Sequence, residues 1–154
     1  MQNKTNNPYK VEPSVIVFSF IILALLLGRT FGGILPMPQI IRWLGLALSA
    51  AGLGLGLLAL REFKRMRTFS KSKTASSNLV TTGIYGHTRN PVNLGFLLIL
   101  IGLPFTGGSY WGIALMPMFI IAMNSLVIQP EEKYLESKFK DEFTKYISKV
   151  RRWI

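Results

Sequence analysis

Charged side chains are missing from three stretches of the chain, residues 13–28, 43–60 and 90–130, and apolar residues dominate them. These windows are 16, 18 and 41 residues long, about half of the 154-residue sequence. A bilayer core of about 30 Å takes roughly 20 apolar residues as helix, so the two shorter windows predict one span each and the longest predicts two. Pro104, Thr106, Gly107, Gly108 and Ser109 split the longest window, and a turn there closes a hairpin of spans. The expected fold is all-α and integral to a membrane, with one domain over residues 1–154. Its parts are a polar tail at 1–12, four spans at about 14–35, 39–61, 91–105 and 110–128, a loop at 62–90, and a C-terminal amphipathic helix at 130–150.

Finer features refine this outline. Arg29 falls near the far end of the first span, where it snorkels to the interface. Pro36 and Pro38 mark the turn to the second span, in place of the small-residue cleavage site that would end a signal peptide. Within the second span Gly45, Ser49, Gly52 and Gly56 fall on one helix face, a stripe that lets another helix approach closely. The string Gly52, Gly54, Gly56 follows no strand and sits inside an apolar helix, so it is not a nucleotide-binding loop. Pro117 predicts a kink in the fourth span. In the tail, Leu135, Phe139, Phe143, Tyr146 and Val150 recur at helical spacing between lysines, which suits a helix lying on anionic lipid or folded back over the spans.

Charge then orients the spans. The chain carries 18 Lys and Arg against 7 Asp and Glu, a formal net charge of +11. The apolar windows exclude a basic globular nucleic-acid binder, so the charge belongs to loops and tails. From Arg61 to Arg89 the net charge is +6, whereas the turns around Pro36 and Gly107 hold none. The positive-inside rule therefore puts that loop and both termini in the cytoplasm. With no Cys and a single His, His87, neither a thiolate nucleophile nor a metal site is expected.

Two polar knots lie on that cytoplasmic side. In the first, residues 79–95, a donor-rich loop enters a helix with Asn90 as N-cap and Pro91 at the first helical position. Free N–H groups at such a start attract an anion, and Arg89 adds a fixed cation. The second knot is Gln129, Pro130, Glu131 and Glu132, another helix start with two carboxylates. Brought together, the knots suit a zwitterion such as an amino acid. Simple capping and helix-dipole complementarity explain the same residues equally well.

Together the two knots resemble the membrane methyltransferases related to isoprenylcysteine carboxyl methyltransferase and the phospholipid methyltransferases. The first family motif is matched at Leu79, Val80, Gly83, Tyr85, Arg89, Asn90, Pro91 and Gly95, and the second at Glu131, Glu132, Leu135, Phe139, Tyr146 and Val150. The resemblance covers roughly residues 40–154. It implies methyl transfer from S-adenosylmethionine, giving S-adenosylhomocysteine, to a lipid-like or small acceptor that enters from the bilayer, with the C-terminal helix closing the cofactor pocket. Carried over position by position, it implies cofactor binding by Ser77, Asn78, Leu79, Val80, Tyr85, Asn90, Pro91, Val92, Asn93 and Glu131. Arg89 and Glu132 are the candidates for catalysis, and membrane lipids rather than nucleic acid are the expected partners. A bacterial cytoplasmic membrane is the expected location.

Several positions depart from the family pattern. Asn90 stands where many members have His, Asn93 and Phe143 replace Tyr, and Lys140 replaces Gly. Ser125, Leu126, Val127 and Ile128 supply no Arg before the glutamate pair, so the resemblance does not extend to a prenylcysteine carboxylate. His87 lies three residues from the family's His position and reads as a solvated loop residue. Two alternatives fit parts of the chain: a non-enzymatic membrane assembly module, and a reductase related to the membrane sterol reductases.

Overall fold

The computed structural model describes residues 9–32, 36–69 and 79–154. Every regular element among them is helical. Helix α1 spans Pro13–Thr30, α2 Gln39–Phe69, α3 Pro91–Thr106 and α4 Trp111–Met123; a short 3₁₀ turn, Gly83–Gly86, precedes α3. A π turn at Asn124–Ile128 joins α4 to α5, Gln129–Ile147. Helix α1, the Gln39–Met66 part of α2 and the run Trp111–Ile147 are long and apolar enough to cross a membrane, and α3 is a shorter apolar helix.

The helix limits differ from the expected spans in informative ways. Helix α1 stops at Thr30, and Gly32 takes a left-handed φ of 67°; residues 33–35 lie outside the described residues. Helix α2 runs on to Phe69, so the expected loop from 62 begins as helix. The sequence from Arg61 to Phe69 contains no Gly or Pro, and Arg, Glu, Lys and Met are strong helix formers. The expected break before residue 130 is also absent. Pro130 only withholds an N–H, and the π turn absorbs the mismatch without ending the helix. Helix α5 instead breaks direction at Lys140, at φ 44° and ψ −115°, and ends at Ile147 rather than 150.

One core packs α1, α3 and α4 together. Ile16, Val17 and Ala24 of α1 meet Leu100 of α3 and Leu115, Phe119 and Met123 of α4, with Val127 and Ile128 beyond. Phe20 sits edge-on to Phe119 at 5.5 Å. Large apolar side chains such as Phe18, Ile22, Leu26, Leu53, Leu57 and Ile121 stay exposed, as the outer face of a membrane bundle requires.

Helices α2 and α3 touch through backbone. A Cβ on Gly52 would lie 2.5 Å from the Gly95 carbonyl oxygen, and one on Gly45 would lie 2.6 Å from that of Gly102. The small-residue stripe thus packs as expected at Gly45, Ser49 and Gly52. A Cβ on Gly56 would meet no atom within 4 Å, although its backbone N–H side still lies against Gly95, and Gly56 lines an apolar groove of about 570 Å³. The bundle's two ends differ sharply. At one, Gly28 packs on Ser109, Trp111 Nε1 donates to the Gly32 carbonyl at 3.3 Å, and Arg42 covers Gly108. At the other, the end of α2, the start of α3 and the α4–α5 junction converge on a polar cluster.

Candidate functional site

The cluster begins with the segment that leads into α3. The α2 extension carries Glu62, which accepts a hydrogen bond from the Thr82 hydroxyl. Gly83, at φ +59°, lies so close to Glu62 that a Cβ there would approach its carboxyl carbon to 2.8 Å. The chain then turns through Gly83–Gly86, and Pro91 opens α3. Asn90 occupies the N-cap position, yet its side chain makes no capping bond. Its Nδ2 instead donates to the Arg152 carbonyl at 3.0 Å, and its Oδ1 accepts from Asn93 Nδ2 at 3.1 Å. The expected side-chain cap is thereby corrected: Asn90 braces the C-terminal segment and leaves the first N–H groups of α3 uncapped by it.

Helix α5 folds back over this segment. Phe143, Tyr146 and Val150 bury against Leu79, with Leu135 and Phe139 at the margin, so the amphipathic face turns toward the protein. The Tyr146 hydroxyl donates to the Tyr85 carbonyl at 2.7 Å. The Arg89 N–H donates to the Arg151 carbonyl at 3.0 Å, and the Thr88 hydroxyl donates to that of Arg152. Arg152 grips Glu132 with two bonds, 3.2 and 2.6 Å, and Arg89 Nη1 reaches the same carboxylate at 3.1 Å. Both oxygens of Glu132 are therefore taken by arginines.

Two cavities meet inside this frame and share Phe63, Tyr85, Arg89, Asn90 and Glu131 as walls. One, about 140 Å³, adds Leu79, Val80, Leu135, Phe139, Phe143 and Tyr146. The other, about 210 Å³, adds Tyr9, Pro91, Val92, Asn93 and Phe96. The α2–α3 groove shares Phe63, Tyr85, Val92 and Phe96 with these walls. Phe63 is thus common to all three spaces.

Electrostatically the site sets a largely desolvated carboxylate, Glu131, in the same walls as an arginine already paired to Glu132. Burial raises the Glu131 pKa, the Tyr9 hydroxyl opposes this by donating to Glu131 at 3.4 Å, and the neighbouring Glu132 charge adds to the rise. Burial, with the Glu131 charge second, pushes the Tyr85 phenol up to about 12. The Arg89 Nε is buried without a hydrogen-bond acceptor among the described residues. A buried donor left unpaired costs about 1–3 kcal/mol, more when charged, so an acceptor supplied by a ligand in this cavity would be stabilising.

Most of the residues singled out from the sequence converge here: Leu79, Val80, Tyr85, Arg89, Asn90, Glu131 and Glu132 around one cavity, and Pro91, Val92 and Asn93 around the other. Ser77 and Asn78 lie outside the described residues. His87 is exposed and lines neither cavity. Sequence reasoning missed Phe63, Tyr9 and Arg152. Phe63 lies seven residues after Gly56, on a continuation of the small-residue stripe, and that spacing marks it once α2 is known to extend. Tyr9 and Arg152 carry no local signal, because both act through contacts more than sixty residues away or across a break in α5.

Comparison with known proteins gives the chain its relatives. The family model for phospholipid methyltransferases matches residues 40–142. An uncharacterised protein of Haemophilus influenzae is 43% identical over 61 residues, covering 40% of this chain and 97% of that protein. A protein-S-isoprenylcysteine O-methyltransferase of Schizosaccharomyces pombe is 31% identical over 107 residues, covering 62% of this chain and 45% of that enzyme. The chain therefore spans less than half the length of the yeast relative. No solved structure matches it. The matched residues 40–142 run from the α2 stripe through both polar knots to Phe143's doorstep, and this helical membrane chain belongs to the phospholipid methyltransferase family.

Proposed function

We propose that the protein transfers a methyl group from S-adenosylmethionine to a lipid-like or small acceptor at the cytoplasmic face of a membrane. The observation that carries this reading is the Arg89 Nε, buried and without an acceptor among the described residues, beside the N-terminus of α3 in cavities also walled by the half-buried Glu131. That pairing of an anion site with a carboxylate fits the amino-acid end of the cofactor. The uncapped N–H groups of α3 and Arg89 take its carboxylate, and Glu131 takes its ammonium or the ribose hydroxyls. Leu79, Tyr85, Phe139 and Phe143 supply the apolar and aromatic walls that suit adenine. When bound, the cofactor supplies an electrophilic methyl carbon on a sulfonium, leaving as S-adenosylhomocysteine.

The acceptor side follows from the groove between α2 and α3. Its lining is apolar apart from the Tyr85 hydroxyl, and it meets the cavities at Phe63 and Tyr85, which suits a lipid-soluble acceptor arriving from the bilayer. In this reading Phe63 stands between acceptor and cofactor, and the rigid helices hold the reacting groups in line, where most of the rate gain of a transfer of this kind arises. Glu132 has both carboxylate oxygens held by arginines. It acts as a clamp that ties the C-terminal segment to Arg89. The topology expected from charge completes the proposal: four spans, both termini in the cytoplasm, in the cytoplasmic membrane of a bacterium.

Isothermal titration of the detergent-purified protein with S-adenosylhomocysteine tests the cofactor assignment. The parent binds; Glu131→Ala and Asn90→Ala each weaken binding by tenfold or more, and His87→Ala leaves it unchanged. Absence of binding by the parent at millimolar ligand would sink the assignment.

A further inference from the structure

The segment before α1 lies outside the part of the chain that matches the family, residues 40–142, yet it reaches the centre of the site. Its placement begins with Pro130. A proline has no N–H to return to the carbonyl four residues earlier, that of Leu126, and the Lys10 N–H bonds this carbonyl at 3.1 Å. That one backbone bond sets the neighbouring Tyr9 against α5, where its hydroxyl donates to Glu131 Oε1 at 3.4 Å. The Tyr9 ring, with Pro13, walls the cavity that also holds Asn93 and Phe96.

From this arrangement we infer that Tyr9 is a positioning residue of the site, its hydroxyl holding the Glu131 carboxyl in place while its ring closes the N-terminal side of the cavity. The inference rests on the methyltransferase reading for the use of that carboxylate, but the coupling of the two side chains stands without it. Other groups acting there are Tyr85 and Arg89 from the loop before α3, Glu132 next to it on α5, and Arg152 through Glu132; Glu12 acts on Tyr9 itself. Burial and Glu132 both push Glu131 toward the neutral acid, and the Tyr9 hydroxyl bond opposes them. Tyr9 itself stays protonated, its pKa raised by burial first and by Glu131 second, so it remains a donor throughout the range in which Glu131 titrates.

Two measurements on the full-length protein in detergent test this. The first is an infrared titration of the protonated-carboxyl band, assigned by its loss in Glu131→Gln, in the parent, Tyr9→Phe and Tyr9→Ala. Without the hydroxyl, Glu131 protonates at higher pH, and the midpoint rises by about half a pH unit or more in Tyr9→Phe, and by less in Tyr9→Ala, where the lost ring also admits water. The second is the pH dependence of S-adenosylhomocysteine binding, whose acid limb moves upward by the same amount in Tyr9→Phe. Superimposable carboxyl midpoints in parent and variants overturn the inference. A shifted midpoint in a parent protein that binds no S-adenosylhomocysteine supports the Tyr9–Glu131 coupling and overturns the methyltransferase reading instead.

Discussion

Glu131 is retained at a cost to folding. Its folded-state pKa lies above the ordinary carboxylate value, so the folded chain holds the proton more tightly than the unfolded chain. The stability tied to this group is therefore full at acid pH and is lost as pH rises through the raised pKa. Glu131→Gln removes the buried charge and can still accept from Tyr9. It should melt above the parent at neutral pH, with the difference vanishing toward acid pH, while losing affinity for S-adenosylhomocysteine. A variant that melted lower at neutral pH would show that the charge is compensated by its partners. Lys140 presents a different strain: it holds φ 44° and ψ −115°, a region that suits glycine, and its side chain is exposed. Because only glycine holds this backbone region without strain, Lys140→Gly should raise stability by about 1 kcal/mol, measured by thermal melting in detergent. In the sequence Lys140 stands out only as a departure from the Gly of the family pattern, and the burial of Glu131 leaves no local mark. The phrase of glutamates at 131 and 132 is legible as a pair, but not their division of labour, which depends on Arg152 arriving from beyond the break in α5.

At the scale of elements, the α2–α3 contact carries the bundle. Gly52 and Gly95 meet backbone to backbone, and a methyl group on Gly52 falls 2.5 Å from a carbonyl oxygen. Gly52→Ala should therefore destabilise by about 1–3 kcal/mol through overpacking. Gly54, two residues on, faces open space, and Gly54→Ala should be neutral or stabilising by up to about 1 kcal/mol through helix propensity. Melting both variants side by side checks the assignment of the packed face, and equal effects would contradict it. The periodicity of Gly45, Ser49 and Gly52 made this face readable from sequence, because small residues at helical spacing have one physical use in a membrane. The extent of α2 was less readable. Charge density from Arg61 onward resembles a loop, but the lack of helix breakers and the contact of Glu62 with Thr82 and Gly83 keep it helical through Phe69.

Across the whole molecule, a membrane bundle with two unlike ends holds its polar chemistry at one of them. The apolar windows made the class of fold legible, since half a chain without charge has no soluble solution. The convergence of residues 79–93 with 131–132 was legible as two knots on one side that suit a common ligand, but the contacts that join them were not. Their union depends on the π turn, the bend at Lys140 and the return of the C-terminal segment onto Asn90, none of which leaves a local pattern. The central claim is methyl transfer at this site. It is tested most directly by incubating the purified protein with methyl-labelled S-adenosylmethionine and a total lipid and small-molecule extract, beside Glu131→Ala. Label entering one class of compound with the parent and not with the variant is the predicted result; no label transferred by the parent, or equal transfer by both, would contradict it.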